Sequence, residues 1–342
     1  MQSRVAVVVT LVVAVALAGC TSGSSSSGPR PPRVTTTTSA GPRASGPAVI
    51  IDTDLSRWWD DATALGLANV LMQQGKVNVL GIGSDIRNPV AVAAIDAIDT
   101  AYGHAAIPLG AVAHSAADTA PHGYSDAVAA RLPHTIRDSA DVPDAVALYR
   151  RLLAAQPDHS VTVVALGAYT NLAGLLTSAR ALVVQKVERL VIEDGFFPGG
   201  GAPATNQKLD LAAARVVVGG RGWPTPIAWV DGLDGIGTRV GSSLCTAAPA
   251  NNPMRVVYQQ LFGCGAPRDG DWDAPTLLYA IGAVPRVFTQ LGRGGAAVLN
   301  AKGGLSWQAQ STRPDDVYVH LAEQNALNAF IDPLLAVGAK AA

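Results

Sequence analysis

Short apolar runs bounded by turn residues alternate with stretches of helical periodicity along most of the chain. The runs at 48–52, 77–83, 107–111, 161–166, 189–193 and 226–230 are expected to be strands. The segments 89–102, 142–156, 170–176 and 211–218 carry apolar residues at helical spacing and lie between them. Several of the strands are apolar throughout, as in a parallel sheet covered on both faces. Strand and helix in alternation make βαβ units, so the pattern predicts an α/β, Rossmann-like domain with a mainly parallel central sheet flanked by helices. Nothing between residues 48 and 338 resembles a linker, and residues 48–340 are read as one domain.

The first twenty residues stand outside that pattern. Arg4 precedes an apolar run, 5–18, too short to span a membrane comfortably and followed by Leu17-Ala18-Gly19-Cys20. Residues 1–20 therefore read as a secretory signal ending in a lipobox, with Cys20 as the lipidated N-terminus. An ordinary signal peptide with a coincidental cysteine is the simpler alternative. The Ser/Thr/Pro/Gly-rich stretch 21–47 is what a tether would need. The expected location is the extracytoplasmic face of the cell membrane, held by the lipid. In that oxidising compartment Cys245 and Cys264 are candidates for a disulfide; neither lies in a CxxC pair or beside a histidine, which argues against zinc.

Net charge is −1, with basic residues scattered along the chain. The basic stripe of a nucleic-acid binder is missing, and no nucleic-acid partner is expected. The chemistry concentrates elsewhere. Asp52, Asp54, Asp60 and Asp61 put four carboxylates into ten residues, directly after the first strand and before a helical pattern. Like charges packed this closely repel and resist desolvation unless a cation sits among them, so the turn is a candidate hard-metal site. It also lies where a parallel strand gives way to a helix, the usual ligand position in open α/β sheets. A solvated loop with a capping Asp is the plain alternative, against which Trp58-Trp59 counts.

Three further segments fit the same site. The strand ending at Leu166-Gly167 has carbonyls free to face a ligand before the helix at Thr170-Asn171. Asn206 follows a Gly/Pro-rich loop, 198–203, and Asp269-Gly270-Asp271-Trp272-Asp273 again places carboxylates at the start of an apolar helix, 276–281. Each alone is weak, since an Asp before a helix is more often a cap.

Together these segments resemble the inosine-uridine nucleoside hydrolase family. Asp52-Thr53-Asp54 followed by Asp60-Asp61-Ala62 is similar to its DxD…DDA signature in a longer-spaced bacterial and fungal form. The stretch from Leu166 to Ala173 is similar to its TGxLTNxA segment, Trp272-Asp273 to its His-Asp or Trp-Asp pair, and His122-Gly123 to a loop element beside the base. The resemblance implies a calcium-dependent N-ribohydrolase. Asp54, Asp61, Asp273 and the carbonyl of Leu166 would be calcium ligands, with Asp54 also the general base. Asp60 and Asn206 would hold ribose hydroxyls. Trp272, in place of a general-acid histidine, suggests stacking on a purine, with Trp58 and Trp59 as further faces; the plain alternative is a core tryptophan. The family also implies a possible homo-oligomer.

Departures are visible. Glu193-Asp194-Gly195 replaces a glycine pair, Ala204 replaces a glutamate that would meet the ribose 5′-hydroxyl, Ser84 and Asp85 stand near a missing Asn, and Trp58 stands where relatives often have Asp. Glu193 and Asp194 either approach the site or cap the following loop. The histidines at 104, 114, 134, 159 and 320 show no partner pattern. Two rival functions fit parts of the pattern. The opening Asp52-Thr53-Asp54-Leu55-Ser56 also fits haloacid-dehalogenase-type phosphatases, which leaves Asp60-Asp61 and Trp272-Asp273 without a role. A lipid-anchored nucleoside-binding protein without turnover uses the same pocket, but has no need of a water-activating cation.

Overall fold

A computed structural model describes residues 46–338 apart from Arg57, 114–122, Arg268, Thr312 and Pro314. The signal segment, Cys20, most of the tether and His122 lie outside the described residues.

The first half of the domain runs β1 (Ala48–Thr53), α1 (Asp60–Gln73), β2 (Asn78–Ser84), α2 (Ala91–Ala101), β3 (Leu109–Ala111), α3 (Gly123–Arg131), α4 (Ala145–Ala154), β4 (Val161–Ala165) and α5 (Thr170–Lys186). It continues through β5 (Val187–Glu193), α6 (Thr205–Leu209), α7 (Leu211–Val218), β6 (Ile227–Val230), α8 (Leu244–Ala247), α9 (Pro253–Phe262) and α10 (Asp273–Ala280). It ends with β7 (Phe288–Leu299), β8 (Leu305–Gln308), β9 (Asp316–Leu321) and α11 (Gln324–Leu335). The sheet order is β3-β2-β1-β4-β5-β6-β9-β7-β8. Pairing is parallel from β3 across to β9 and antiparallel for β7 with β9 and β8.

The all-apolar strands have the predicted cause. Val49 and Ile51 of β1 belong to the core on one sheet face and Ile50 to the core on the other, so both sides of the strand are out of water. Helix α1 is buried along most of its length, and Gly66 lies against Met254 with no room for a Cβ. Helix α4 starts later than expected because Asp144 caps it, accepting from the Ala147 amide at 2.9 Å. Helix α5 runs ten residues past the expected end at 176, through a kink at Ala179 (φ −149°). The strands β7 to β9 were not anticipated. Half-exposed β7, with glycines at 292, 294 and 295, lacks the apolar run of a central strand.

Cys245 and Cys264 form a disulfide with Cα atoms 5.5 Å apart, tying α8 to the end of α9. Among the described residues no helix is long and apolar enough to cross a membrane.

Candidate active site

The C-terminal ends of β1, β4, β5 and β6 deliver their residues to one side of the sheet, where a cavity of about 460 Å³ opens. Asp54, Asp60, Asp273, Leu166, Glu193 and Asn206 line its polar part. Trp58, Trp59, Phe196, Ile236, Phe262 and Trp272 form its apolar part.

The turn after β1 is pinned from several directions. Thr53 Oγ1 donates to the Asp61 carboxylate and accepts from the Leu55 amide at 3.2 Å. Ser56 sits at φ 94° and is held there by Tyr124, whose hydroxyl accepts from its amide at 2.7 Å, and by Asn88, which donates to its hydroxyl at 2.8 Å. The Tyr124 hydroxyl in turn donates to the Trp58 carbonyl at 2.5 Å. This frame carries the longer spacing between Asp54 and Asp60-Asp61. Neither of those two aspartates caps α1, whose N-cap position is Trp59.

Asp60, Asp61 and Asp273, all buried, each bring a carboxylate oxygen within 4.8 Å of the others. Asp60, read from the sequence as a sugar ligand, is thus part of the metal-competent group. Asp54, 1 % exposed, lines the same cavity. Burial, then the neighbouring carboxylates, push Asp61 and Asp273 well above the usual carboxylate range, and burial raises Asp60 to about 6. One oxygen of Asp61, Oδ2, is buried with no hydrogen-bond partner. A set made only of hard oxygens, desolvated and mutually repelling, fits a hard divalent cation and no soft one.

The surroundings hold this cluster in place. Asp52 Oδ1 accepts from Tyr149 Oη at 2.5 Å and from Asn171 Nδ2 at 2.8 Å. Tyr149 reaches it only because Gly83 has no side chain: a Cβ there would collide with the tyrosine hydroxyl. Gly167 is required for the same reason, since a Cβ would lie 2.7 Å from the Asp54 amide nitrogen and 2.6 Å from an Asp85 carboxyl oxygen. Asp85, which stands near the position of the missing Asn, is wholly buried beside Asp52, Asp54 and Asp61.

Asn206 Nδ2 donates to the Leu166 carbonyl at 2.8 Å and to Glu193 Oε2 at 2.7 Å. The two acids after β5 therefore divide. Glu193 lines the cavity, whereas Asp194 turns away to accept from Tyr169 Oη at 2.5 Å and the Gly195 amide at 2.6 Å.

At the apolar end Trp272 is a wall residue, its indole donating to the Gly232 carbonyl at 2.6 Å and its ring lying against Gly235. Trp59 is 8 % exposed and fixed edge-on by Tyr258 and Phe262, each 5.3 Å away, while Trp58 is 43 % exposed. Phe196, Ile236 and Phe262 were missed in the sequence because an isolated apolar residue carries no signal of facing a ligand. Asp271 is a cap, accepting from the Ala274 amide at 2.9 Å. His320 has a partner after all, Asp234, at 3.2 Å; His104 likewise meets Asn69 at 2.7 Å.

Solved structures of similar fold include a plant nucleoside hydrolase (16% identity, TM-score 0.67), covering 85% of this chain and 99% of that one. An inosine-uridine preferring nucleoside hydrolase from Bacillus anthracis (15%, TM-score 0.66) covers the same shares. An inosine-guanosine nucleoside hydrolase (22%, TM-score 0.63) does so too. No curated protein sequence matches. The family model described as inosine-uridine preferring nucleoside hydrolase matches residues 49–257. With the metal-competent carboxylates at the sheet ends, the chain belongs to that metal-dependent family of enzymes, which hydrolyse the N-glycosidic bond of nucleosides.

Proposed function

We propose that the protein is a calcium-dependent, purine-preferring ribonucleoside hydrolase, with Cys20 carrying a lipid that holds it at the extracytoplasmic face of the cell membrane. The observation that carries the catalytic reading is the buried, all-oxygen cluster of Asp60, Asp61 and Asp273 at one end of a cavity whose other end is aromatic. Asp54, Asp61, Asp273 and the Leu166 carbonyl would hold the ion. Calcium, when bound, supplies a charge that orients the sugar diol and makes a water easier to deprotonate.

The protein's own groups do the rest. Asp54 takes a proton from the attacking water, whose oxygen bonds to the anomeric carbon while the C–N bond breaks and its electron pair leaves with the base. Positive charge grows on the sugar as that bond stretches, and the surrounding carboxylates stabilise it. Asp60 and Asn206 bind ribose hydroxyls. Trp272, locked by Gly232, presents a flat face on which a purine stacks, positioning a ring nitrogen to take up a proton as the base departs.

The test is release of free base and reducing sugar from purine and pyrimidine nucleosides, with calcium and after chelation. Calcium-dependent release that ranks purines first supports the proposal. Release that is unaffected by chelation, or equal for both base classes, refutes the corresponding part. The anchor is tested separately: Cys20→Ser should free the protein into the medium, and continued fractionation with membranes would count against lipidation.

A further inference from the structure

A second cavity, of about 240 Å³, shares no lining residue with the first. Its walls include Arg189 near the start of β5, Leu278 and Tyr279 at the end of α10, Pro285, and Phe288 and Gln290 of β7. Arg189 precedes Glu193 of the first cavity by four residues, roughly 13 Å of extended strand. Likewise α10 has Asp273 of the carboxylate cluster at its start and this cavity at its end. Arg189 brings a charge to the space. Its Nη2 donates to the Ala280 carbonyl at 2.8 Å, and the guanidinium carbon lies 5.7 Å over the Tyr279 ring. Capping the helix end in this way uses one of five N–H donors. Among the described residues no carboxylate pairs with Arg189, and its Nε is buried without a hydrogen-bond partner. A partly desolvated cation in that condition favours an anion beside it.

The polar neighbours carry the same sign. Arg293 Nη2 donates to Gln290 Oε1 at 2.7 Å, and an arginine has only donors, so the oxygen of that amide has to face it. The Gln290 nitrogen is then turned to Tyr279 and donates to the phenol oxygen at 2.7 Å. Tyr279 therefore accepts from Gln290 and keeps its own hydroxyl hydrogen, for which no described residue is an acceptor. Leu278, Pro285 and Phe288 make the rest of the wall apolar. We propose that this cavity binds a small organic monocarboxylate with a flat apolar body, one carboxylate oxygen meeting Arg189 and the other accepting the Tyr279 hydroxyl hydrogen. A planar carboxylate matches one positive charge and two donor groups. A phosphate dianion has more oxygens than two groups can serve, and the surplus would be desolvated against Leu278 and Phe288. The size also fits, since an apolar cavity of about 150 Å³ takes a benzene ring and this one leaves room for the carboxylate. The site stands apart from nucleoside hydrolysis and does not depend on which nucleoside is cleaved.

Benzoate is the probe, titrated into the whole protein by calorimetry with chelator present, so that no ion in the first cavity can take up a carboxylate. Saturable binding at one site is expected. Benzamide, neutral and of the same shape, and inorganic phosphate should each bind at least roughly tenfold more weakly. Arg189→Gln should weaken benzoate binding by roughly tenfold or more. Tyr279→Phe, which keeps the ring and removes the hydroxyl hydrogen, should weaken it by roughly three- to tenfold. Circular dichroism reports folding, and should Arg189→Gln fail to fold through loss of its bond to Ala280, Tyr279→Phe decides. The assignment is overturned by no saturable binding to wild type, by equal binding of benzamide, by tighter binding of phosphate, or by unchanged benzoate affinity in either folded variant.

Discussion

The side-chain nitrogen of Asn206 lies 2.8 Å from the main-chain oxygen of Leu166, which joins the short helix after the Gly/Pro-rich loop to the end of β4. On the proposed function, the carbonyl that would face the ion and the amide that would face the sugar are thus one hydrogen-bonded unit. Asn206→Ala should lower kcat/KM on inosine by about ten- to a hundredfold, because it leaves the Leu166 carbonyl and Glu193 without their donor. Asn206→Asp should be worse, since it sets a carboxylate against Glu193 at hydrogen-bond distance. Steady-state kinetics of the two variants would test the order.

Asp54→Asn keeps the shape of the side chain and removes the proton acceptor. The expected outcome is a fall in kcat of about 10²- to 10⁴-fold. Calcium binding measured by calorimetry should weaken but persist, because Asp61 and Asp273 remain. Unchanged kcat would remove Asp54 from the role of base.

At the aromatic end, Gly235 leaves no space for a Cβ against the Trp272 indole. Gly235→Ala should therefore displace the ring and depress purine turnover as Trp272→Ala does, although the mutated residue need not touch the base. Trp272→Phe, which keeps a stacking face but loses the hydrogen bond to Gly232, should fall between wild type and Trp272→Ala. If purine and pyrimidine nucleosides decline in parallel through this series, stacking does not set the preference.

If the proposed function holds, chelation should lower the melting temperature, because an ion held by the folded carboxylate cluster would have no such site on the unfolded chain. At a hundredfold excess over its dissociation constant the ion would contribute about 2.7 kcal/mol. Asp61→Asn should shrink the difference between calcium-loaded and chelated protein. An unchanged difference would place the ion elsewhere.

Asp99 gives a pH effect distant from the catalytic chemistry. It is buried on α2, and burial raises its carboxyl from 3.8 to about 8, partly opposed by the hydrogen bond from Asn69 at 2.6 Å. A raised pKa means the folded state holds a proton that the unfolded state has released. This contribution is complete below pH 3.8 and is lost progressively as pH rises toward about 8. Asp99→Asn should accordingly gain stability relative to wild type as pH increases, by on the order of a few kcal/mol at the upper end. Urea denaturation at pH 5 and pH 8 would show this, and a pH-independent difference would refute it.

Two kinds of information were legible in the chain itself. Apolar runs such as Val161–Ala165 marked central strands because a strand buried on both faces has to be apolar at every position. The carboxylates at 52–61 pointed to the cavity because like charges at that density repel and resist desolvation, which favours a cation among them. Local chemistry of this kind acts over a few residues, so it survives in one dimension.

The tertiary structure decided what depends on distant partners. Strand β9, a six-residue segment near the end of the chain, enters the sheet beside β6 because a parallel edge there accepts it, not because its own pattern demands it. Asp54, Asp60 and Asp61 sit close together in sequence, yet Asp273 joins them only when α10 packs against α1. Tyr149 meets Asp52 across Gly83, a contact that depends on a missing side chain. Glu193 and Asp194 are adjacent and chemically alike, and their opposite fates follow from the alternation of side chains at the end of β5: one faces Asn206 and the cavity, the other Tyr169. Sequence specifies which groups are available, whereas the crossing of β4, β5 and α6 decides which of them share a space, because hydrogen bonds and charge repulsion depend on distance in three dimensions and not along the chain.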